Sequence, residues 1–325
     1  MSTSDGLILM YHRIAAPSSD PWGLSVTAEH FVDHLRHLSA RYHPTTLEDL
    51  AQRTTSGRPL DRRVAVTFDD GYADNCHVAR PLLKQYNVPA TVFMCSDGLE
   101  QRSEYWWDEL DRLLLQPGEL PRVLEGRIAG RDFEFDLQDD AVYSNAEAIE
   151  RRGWRALGAG PAGRRQELYL TLYGIMRLRT HLERADDLRQ LREWSGVPSG
   201  HRDSHRPMAR KELAAIEADG LIAIGAHSVT HPFLSELPEK EQRAEIEQSK
   251  HAIETVLGHP IDSFAYPNGS YDSGTVRLLC EADFSLACCS KEQTVTHEMD
   301  VMQLPRVVVE DLDLDQFGRL LARWL

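Results

Sequence analysis

The chain has 325 residues, 42% of them hydrophobic and 27% charged, with a formal net charge of −15. This length leaves room for one large domain or two ordinary ones around a well-buried core, and the composition excludes disordered and collagen-like chains. The negative charge argues against nucleic acid and anionic membrane surfaces, since both reward clustered Lys and Arg.

Taken in chain order, short apolar runs alternate with longer helix-like segments. Leu7 to Tyr11 reads as a first buried strand. Thr27 follows as an N-cap, with Phe31, Leu35 and Leu38 on one face of the helix it opens. Val64 to Phe68 is a second strand, and Val78, Leu82, Leu83 and Tyr86 mark the next helical face. Asp74 and Asn75 are expected to cap that helix. Ala90 to Met94 is a third strand. After residue 205 the rhythm resumes with strands at Leu221 to Ala226, Ser263 to Tyr266, Phe284 to Cys288 and Leu304 to Val309. Between the first two of these, Pro238 opens a long amphipathic helix over Glu239 to Leu257, with Gly258 after its end. Such alternation implies a mainly parallel sheet with helices outside it, and about seven strands at this length favour a closed or nearly closed β/α barrel. No Gly-x-Gly-x-x-Gly turn follows any strand, so a dinucleotide fold has no support.

Residues 100–205 break the alternation with Tyr105-Trp106-Trp107, a small-residue run from Gly158 to Gly163, and Arg/Glu/Leu-rich segments. They read as a helical insertion. The domain expectation is 1–99 with 206–325 as the barrel and 100–205 as the insertion, a candidate lid whose tryptophans stack on a ligand. The alternative places Trp106 and Trp107 in the core of a small subdomain. His201 and His205 also invite a metal reading, which is set aside.

The longest apolar run near the start, Leu7 to Tyr11, is far shorter than the roughly 20 residues a membrane span needs. No integral membrane segment and a cytoplasmic location are therefore expected. Cys76, Cys95, Cys280, Cys288 and Cys289 contain no Cys-x-x-Cys pair, which fits reduced thiols in a cytosolic protein. The oligomeric state is not legible.

Three strand ends carry polar groups suited to chemistry. Val64 to Phe68 runs into Asp69-Asp70-Gly71, where neighbouring carboxylates point different ways, so that one can bind a cation while the other holds a water. Two helix-capping aspartates would read the same way. His227 and His231 follow Leu221 to Ala226 at i and i+4, a spacing that puts both imidazoles on one face of a helical turn. Many helices without metal share that spacing. Together Asp70 or Asp69 and the two histidines supply one carboxylate and two imidazoles, a set that leaves positions open for water. Tyr266-Pro267-Asn268-Gly269 ends another strand; it makes a good turn and can aim the Asn268 N–H at a developing oxyanion.

Thr67-Phe-Asp-Asp-Gly71, His227-Ser-Val-Thr-His231 and Tyr266-Pro-Asn-Gly269, in this order, resemble the first three motifs of the polysaccharide deacetylase (NodB-like) family. The resemblance implies a distorted β/α barrel and metal-dependent removal of N-acetyl groups from amino sugars. It implies Asp70, His227 and His231 as ligands of one divalent metal ion, Asp69 as general base, and Tyr266 to Gly269 as the oxyanion and substrate-binding turn. Such a ligand set suits Zn²⁺ first and also Co²⁺, Ni²⁺ or Fe²⁺. Two departures stand out. Phe264-Ala265 occupies the place of the family's third-motif arginine, and no Leu-x-His-Asp motif lies near the C-terminus. Leu9-Met-Tyr-His12 instead resembles the Tyr-His motif of the poly-N-acetylglucosamine deacetylase branch, which makes His12 the expected general acid, while His297 is read as a loop histidine. Arg306 is expected either to replace the missing arginine beside Asp69 or to close a structural ion pair. The expected substrate is an N-acetylated amino sugar, carried as a sugar nucleotide, a glycolipid or a small glycoside. Hydrolysis of a formamide or cyclic imide is the alternative activity, and a decayed carbohydrate-binding protein the alternative class.

Overall fold

A computed structural model describes residues 5–99, 103–158 and 160–325. These fall into two compact units: residues 5–16, 25–99 and 207–325 form one, and residues 17–24 with the described part of 103–206 form the other.

The first unit is a β/α barrel. Its strands are β1 (Leu7–Tyr11), β2 (Arg63–Phe68), β3 (Ala90–Met94), β4 (Ile222–Ala226), β5 (Ser263–Ala265), β6 (Leu286–Cys288) and β7 (Val307–Val308). All pair in parallel, in the order β6-β5-β4-β3-β2-β1-β7, so each strand lies beside its predecessor in the chain until β7 returns to β1. A parallel bridge between Cys288 and Leu304 then joins β6 to the segment leading into β7, with Leu304 N–H donating to Ala287 at 2.8 Å. A short strand, His43–Thr45, pairs alongside the start of β2.

Alternate side chains on these strands go to different cores, because successive residues of a strand face opposite ways. Leu7, Leu9 and Tyr11 of β1, Val64, Val66 and Phe68 of β2, and Ile222 and Ile224 of β4 pack outward with Phe31, Leu35 and Leu38. Ile8, Ala65, Phe93, Ala265, Cys288 and Leu304 form a separate inner cluster. Both faces are covered, which explains why the strands read as unbroken apolar runs.

The surrounding helices begin and end where the sequence dictates. Thr27 Oγ1 accepts the His30 N–H, opening the helix Ala28–Arg41. Pro238 precedes the helix Glu239–Leu257, and Gly258, at φ 79°, ends it. Asp74 and Asn75 do not cap. They lead into a five-residue π-turn, Asn75–Ala79, and their side chains bond elsewhere. Among the described residues no helix is long and apolar enough to cross a membrane.

The second unit has its own core of Leu110, Leu113, Leu114, Leu168, Leu172 and Leu191, with Trp106 packed against it. Helices Trp106–Leu114, Arg164–Met176 and His181–Ser195 supply it. A hairpin, Val123–Ile128 with Arg131–Asp136, adds an antiparallel element. Ala129 and Gly130 turn that hairpin with positive φ at both positions, 52° and 72°.

Candidate active site

The inward-facing series of β2, Ala65 then Thr67, continues into Asp69 just beyond the strand. Asp69 N–H still donates to Tyr11 O at 2.9 Å, so the carboxylate is held by the last rung of the ladder. Asp70 and Gly71 then turn sharply through left-handed backbone, φ 68° and 71°. Only glycine fits at 71, because a Cβ there would lie 2.2 Å from Met94 Sδ.

Asp69 and Arg306 form a buried bidentate pair, Nη1 to Oδ1 at 2.6 Å and Nη2 to Oδ2 at 2.7 Å. Arg306 is fully buried and also donates to Cys289 O at 3.1 Å and Thr67 Oγ1 at 3.2 Å. Burial by itself would raise the Asp69 carboxyl; the charge of Arg306, aided by His227, outweighs it and holds the group well below the usual carboxylate range. Arg306 therefore stands where an ion pair keeps Asp69 ionised without solvent.

His227 continues the inward series of β4. Its N–H donates to Met94 O at 2.9 Å, and its ring Nδ1 lies 2.8 Å from Ala265 O. That bond puts the proton on Nδ1 and leaves the Nε2 lone pair facing the carboxylates. Burial lowers the imidazole's proton affinity, favouring the neutral, ligating form. Nε2 of His227 is 3.6 Å from Asp70 Oδ1, and Nε2 of His231 is 3.4 Å from the same oxygen.

The histidine pair does not sit on a helical turn. Ser228 and His231 have φ of 61° and 57°, so the segment is a bent loop, and the i,i+4 spacing works by a different route. Residues on the next helix hold that bend. Glu245 Oε2 accepts the N–H groups of Val229 at 2.8 Å and Thr230 at 2.9 Å, and Oε1 accepts the Thr230 hydroxyl at 2.7 Å. Glu245 was not legible as a site residue, and its only signal is an acidic side chain beside the buried Gln242, Ile246 and Ser249 positions of the helix.

Asp70, His227 and His231 each present a ligand atom, all within 4.8 Å of one another, and no other such grouping occurs among the described residues. Ligands about 2.1 Å from a tetrahedral ion lie roughly 3.4 Å apart. The two oxygen–nitrogen separations match that spacing, so this donor set suits a divalent ion.

The register of β1 against β2, Tyr11 opposite Phe68, brings His12 out beside Asp69. The His12 ring lowers the Asp69 carboxyl electrostatically, as a near neighbour must. Asn75 Nδ2 donates to His12 O at 2.9 Å. Asp74 takes Arg13 Nε at 3.1 Å and Ile14 N–H at 3.0 Å. These two side chains tie down the end of β1, because a π-turn begins where their capping contacts were expected. In the third motif, Ala265 supplies the carbonyl for His227, and the buried Tyr266 hydroxyl donates to Met302 O at 2.8 Å. Pro267 is buried, while Asn268 is exposed at φ 54° and Gly269 follows at φ 64°. His297 lies in a turn.

The parallel β/α barrel thus gathers a carboxylate and two imidazoles over its strand ends, where barrels of this kind carry their sites. The polysaccharide deacetylase family model matches residues 56–120 and 197–287, which enclose all three motifs and exclude His12 and Arg306. YxkH of Bacillus subtilis (strain 168), described as a polysaccharide deacetylase, is 38% identical over 89 residues, 27% of this chain and 30% of that protein. The matched stretch thus spans under a third of that relative. Among solved structures, the Streptococcus pyogenes deacetylase PplD in complex with acetate superimposes with a TM-score of 0.59 at 15% identity, covering 97% of each chain. IcaB from Ammonifex degensii gives a TM-score of 0.57 at 18% identity, covering 98% of this chain and 96% of that one. Those two likenesses concern the fold. The chain is thus similar to the polysaccharide deacetylase family over the residues that model matches.

Proposed function

We propose that this protein hydrolyses the N-acetyl group of an amino sugar, releasing acetate and the free amine. The observation that carries the reading is the convergence of Asp70, His227 and His231 within 4.8 Å beside the ionised Asp69–Arg306 pair. The match to the polysaccharide deacetylase family model supports the reaction class.

A divalent ion held by Asp70, His227 and His231, Zn²⁺ first among candidates, would supply Lewis-acid polarisation of the amide carbonyl and acidify a water. Asp69 orients that water and takes its proton on a carboxylate oxygen as the C–O bond forms. Arg306 keeps Asp69 ionised and fixes its plane. The Asn268 N–H, in the turn after Tyr266-Pro267 and before Gly269, steadies the carbonyl oxygen as it gains charge. His12 gives a proton to the amide nitrogen, which is a poor leaving group until protonated, and the C–N bond breaks. No disulfide joins the five cysteines. That suits a reducing compartment, and a cytoplasmic setting is part of this proposal.

The test is mass spectrometry and acetate assay on a panel of N-acetyl sugars, sugar nucleotides and glycolipids. Loss of one acetyl group, abolished by chelator and restored by Zn²⁺ or Co²⁺, is expected. Chelator-insensitive hydrolysis would overturn the metal centre, and turnover of N-formyl amines or cyclic imides alone would overturn the substrate class.

A further inference from the structure

Two residues of the His227–His231 loop, Ser228 and His231, adopt left-handed backbone at φ 61° and 57°. Side chains with a Cβ adopt that conformation only when the surroundings enforce it. The enforcement has three parts. Ser228 and Val229 carbonyls accept the N–H groups of Ser96 and Asp97, each at 3.1 Å. Ser228 Oγ accepts the His231 N–H at 3.1 Å. The third part comes from Glu245, whose carboxylate fills the concave side of the loop and accepts two successive backbone N–H groups and the Thr230 hydroxyl.

A carboxylate has only acceptors to offer, and consecutive N–H groups converging on one oxygen form a cradle for negative charge. These charge-assisted bonds are roughly twice as strong as neutral ones. Glu245 itself cannot wander, because its helix is anchored through the buried Gln242, Ile246, Ser249 and Ile253. The two peptide units it grips lie between the two histidines. Their orientation decides whether His231 swings toward Asp70 or away from it.

We propose that Glu245 is a positioning residue that sets the reach of His231 to the Asp70–His227 pair and thereby the affinity of the site for a divalent cation. The inference rests on the metal reading above and adds to it a determinant outside the ligand set. Glutamine is nearly isosteric but uncharged: its amide oxygen can still take the two N–H groups and its NH2 can meet the Thr230 hydroxyl only by donating to it, so the charge assistance of all three bonds is lost. Loss of a group that orients a ligand costs 10–100-fold in metal affinity.

The experiment is titration of the metal-free full chain with Co²⁺, read by d–d absorption, for wild type, Glu245→Gln, Thr230→Val and His231→Ala, with thermal melts of each metal-free protein. Glu245→Gln should bind Co²⁺ about 10–100-fold more weakly with a changed absorption envelope, at a melting temperature near wild type. Thr230→Val, which removes one bond of the three, should show a smaller loss of the same kind. Wild-type Co²⁺ affinity in Glu245→Gln would overturn the proposal; should that variant fail to fold, wild-type affinity in Thr230→Val would do so. If wild type bound no Co²⁺ and His231→Ala behaved identically, the metal reading itself would fall, and this proposal with it.

Discussion

A carboxylate that must remain ionised inside a barrel needs a fixed counter-charge, and Asp69 has one in Arg306, 2.6 and 2.7 Å away. In the proposed reaction, that pair removes Asp69 from solvent control and leaves proton delivery to another group. His12, the residue after β1, is one of two histidines whose charge lowers the Asp69 carboxyl, and the one outside the proposed ligand set. His12→Ala should lower kcat by about 10²–10⁴-fold with KM little changed, the usual share of a general acid. Turnover near wild type, measured by acetate release at saturating substrate, would remove His12 from the reaction. Gly71 is the other residue whose substitution has a definite consequence. Gly71→Ala would put a Cβ 3.3 Å from Met94 Cα and 2.2 Å from its sulfur, on a backbone at φ 71°. We expect a loss of about 1–3 kcal/mol of stability together with Co²⁺ binding, since Asp70 is the preceding residue. A melting temperature and Co²⁺ affinity equal to wild type would contradict this account.

At the scale of elements, the docking of helix Ala28–Arg41 onto helix Leu314–Trp324 depends on a neutral histidine. His34 stacks on Phe317 at 3.9 Å, its Nε2 lies 2.7 Å from Leu312 O, and the Tyr11 hydroxyl lies 3.2 Å from Nδ1. Nε2 must donate to the carbonyl, so Nδ1 accepts from Tyr11, and no lone pair is left for a second proton. Burial lowers the His34 pKa to about 4 from an ordinary 6.5. The native state therefore binds this proton more weakly than the unfolded chain. The stability it protects is complete above pH 6.5 and is lost as pH falls toward 4, by roughly 3 kcal/mol in all. Urea unfolding at steps between pH 7 and 4 should show that slope in wild type and a shallower one in His34→Gln; parallel slopes would exclude His34 as its source.

The strand ends at Tyr11, Phe68 and Ala226 were legible because each strand is a largely buried apolar run and His12, Asp69 or His227 marks where it stops. The loop between His227 and His231 was not, since i,i+4 spacing belongs equally to a helix and to a bend closed by a distant carboxylate. Glu245 lies 14 residues beyond His231 on another element, and nothing local points from one to the other. Asp74 and Asn75 misled for a related reason. Short polar side chains before a helix bond to whatever donors and acceptors are nearest, and here the end of β1 is nearer than the turn they precede.

At the scale of the whole chain, the barrel order follows from simple succession of strands, whereas the second unit has no such rule. Its share of residues 17–24 carries no periodic signal, although its hairpin does alternate, with Phe133 and Phe135 set between Asp132, Glu134 and Asp136. What it has is a buried cation at its centre. Arg165, 1% exposed, donates to the carbonyls of Leu114, Gln116, Gly118, Asp140 and Ala141. One guanidinium thus satisfies the end of helix Trp106–Leu114, the strand after it and the turn before Val142, which no apolar residue can do. Arg165→Met keeps the bulk and orphans those acceptors, and should cost about 4 kcal/mol within this unit. Because the unit has a core separate from the barrel's, the damage should be local. Hydrogen exchange read by mass spectrometry should quicken over 106–114 and 164–176 in Arg165→Met, while β1, β2 and β3 exchange as in wild type. Equal acceleration in the barrel strands would show that the two units unfold as one, and no acceleration anywhere would show that water replaces the arginine at no cost.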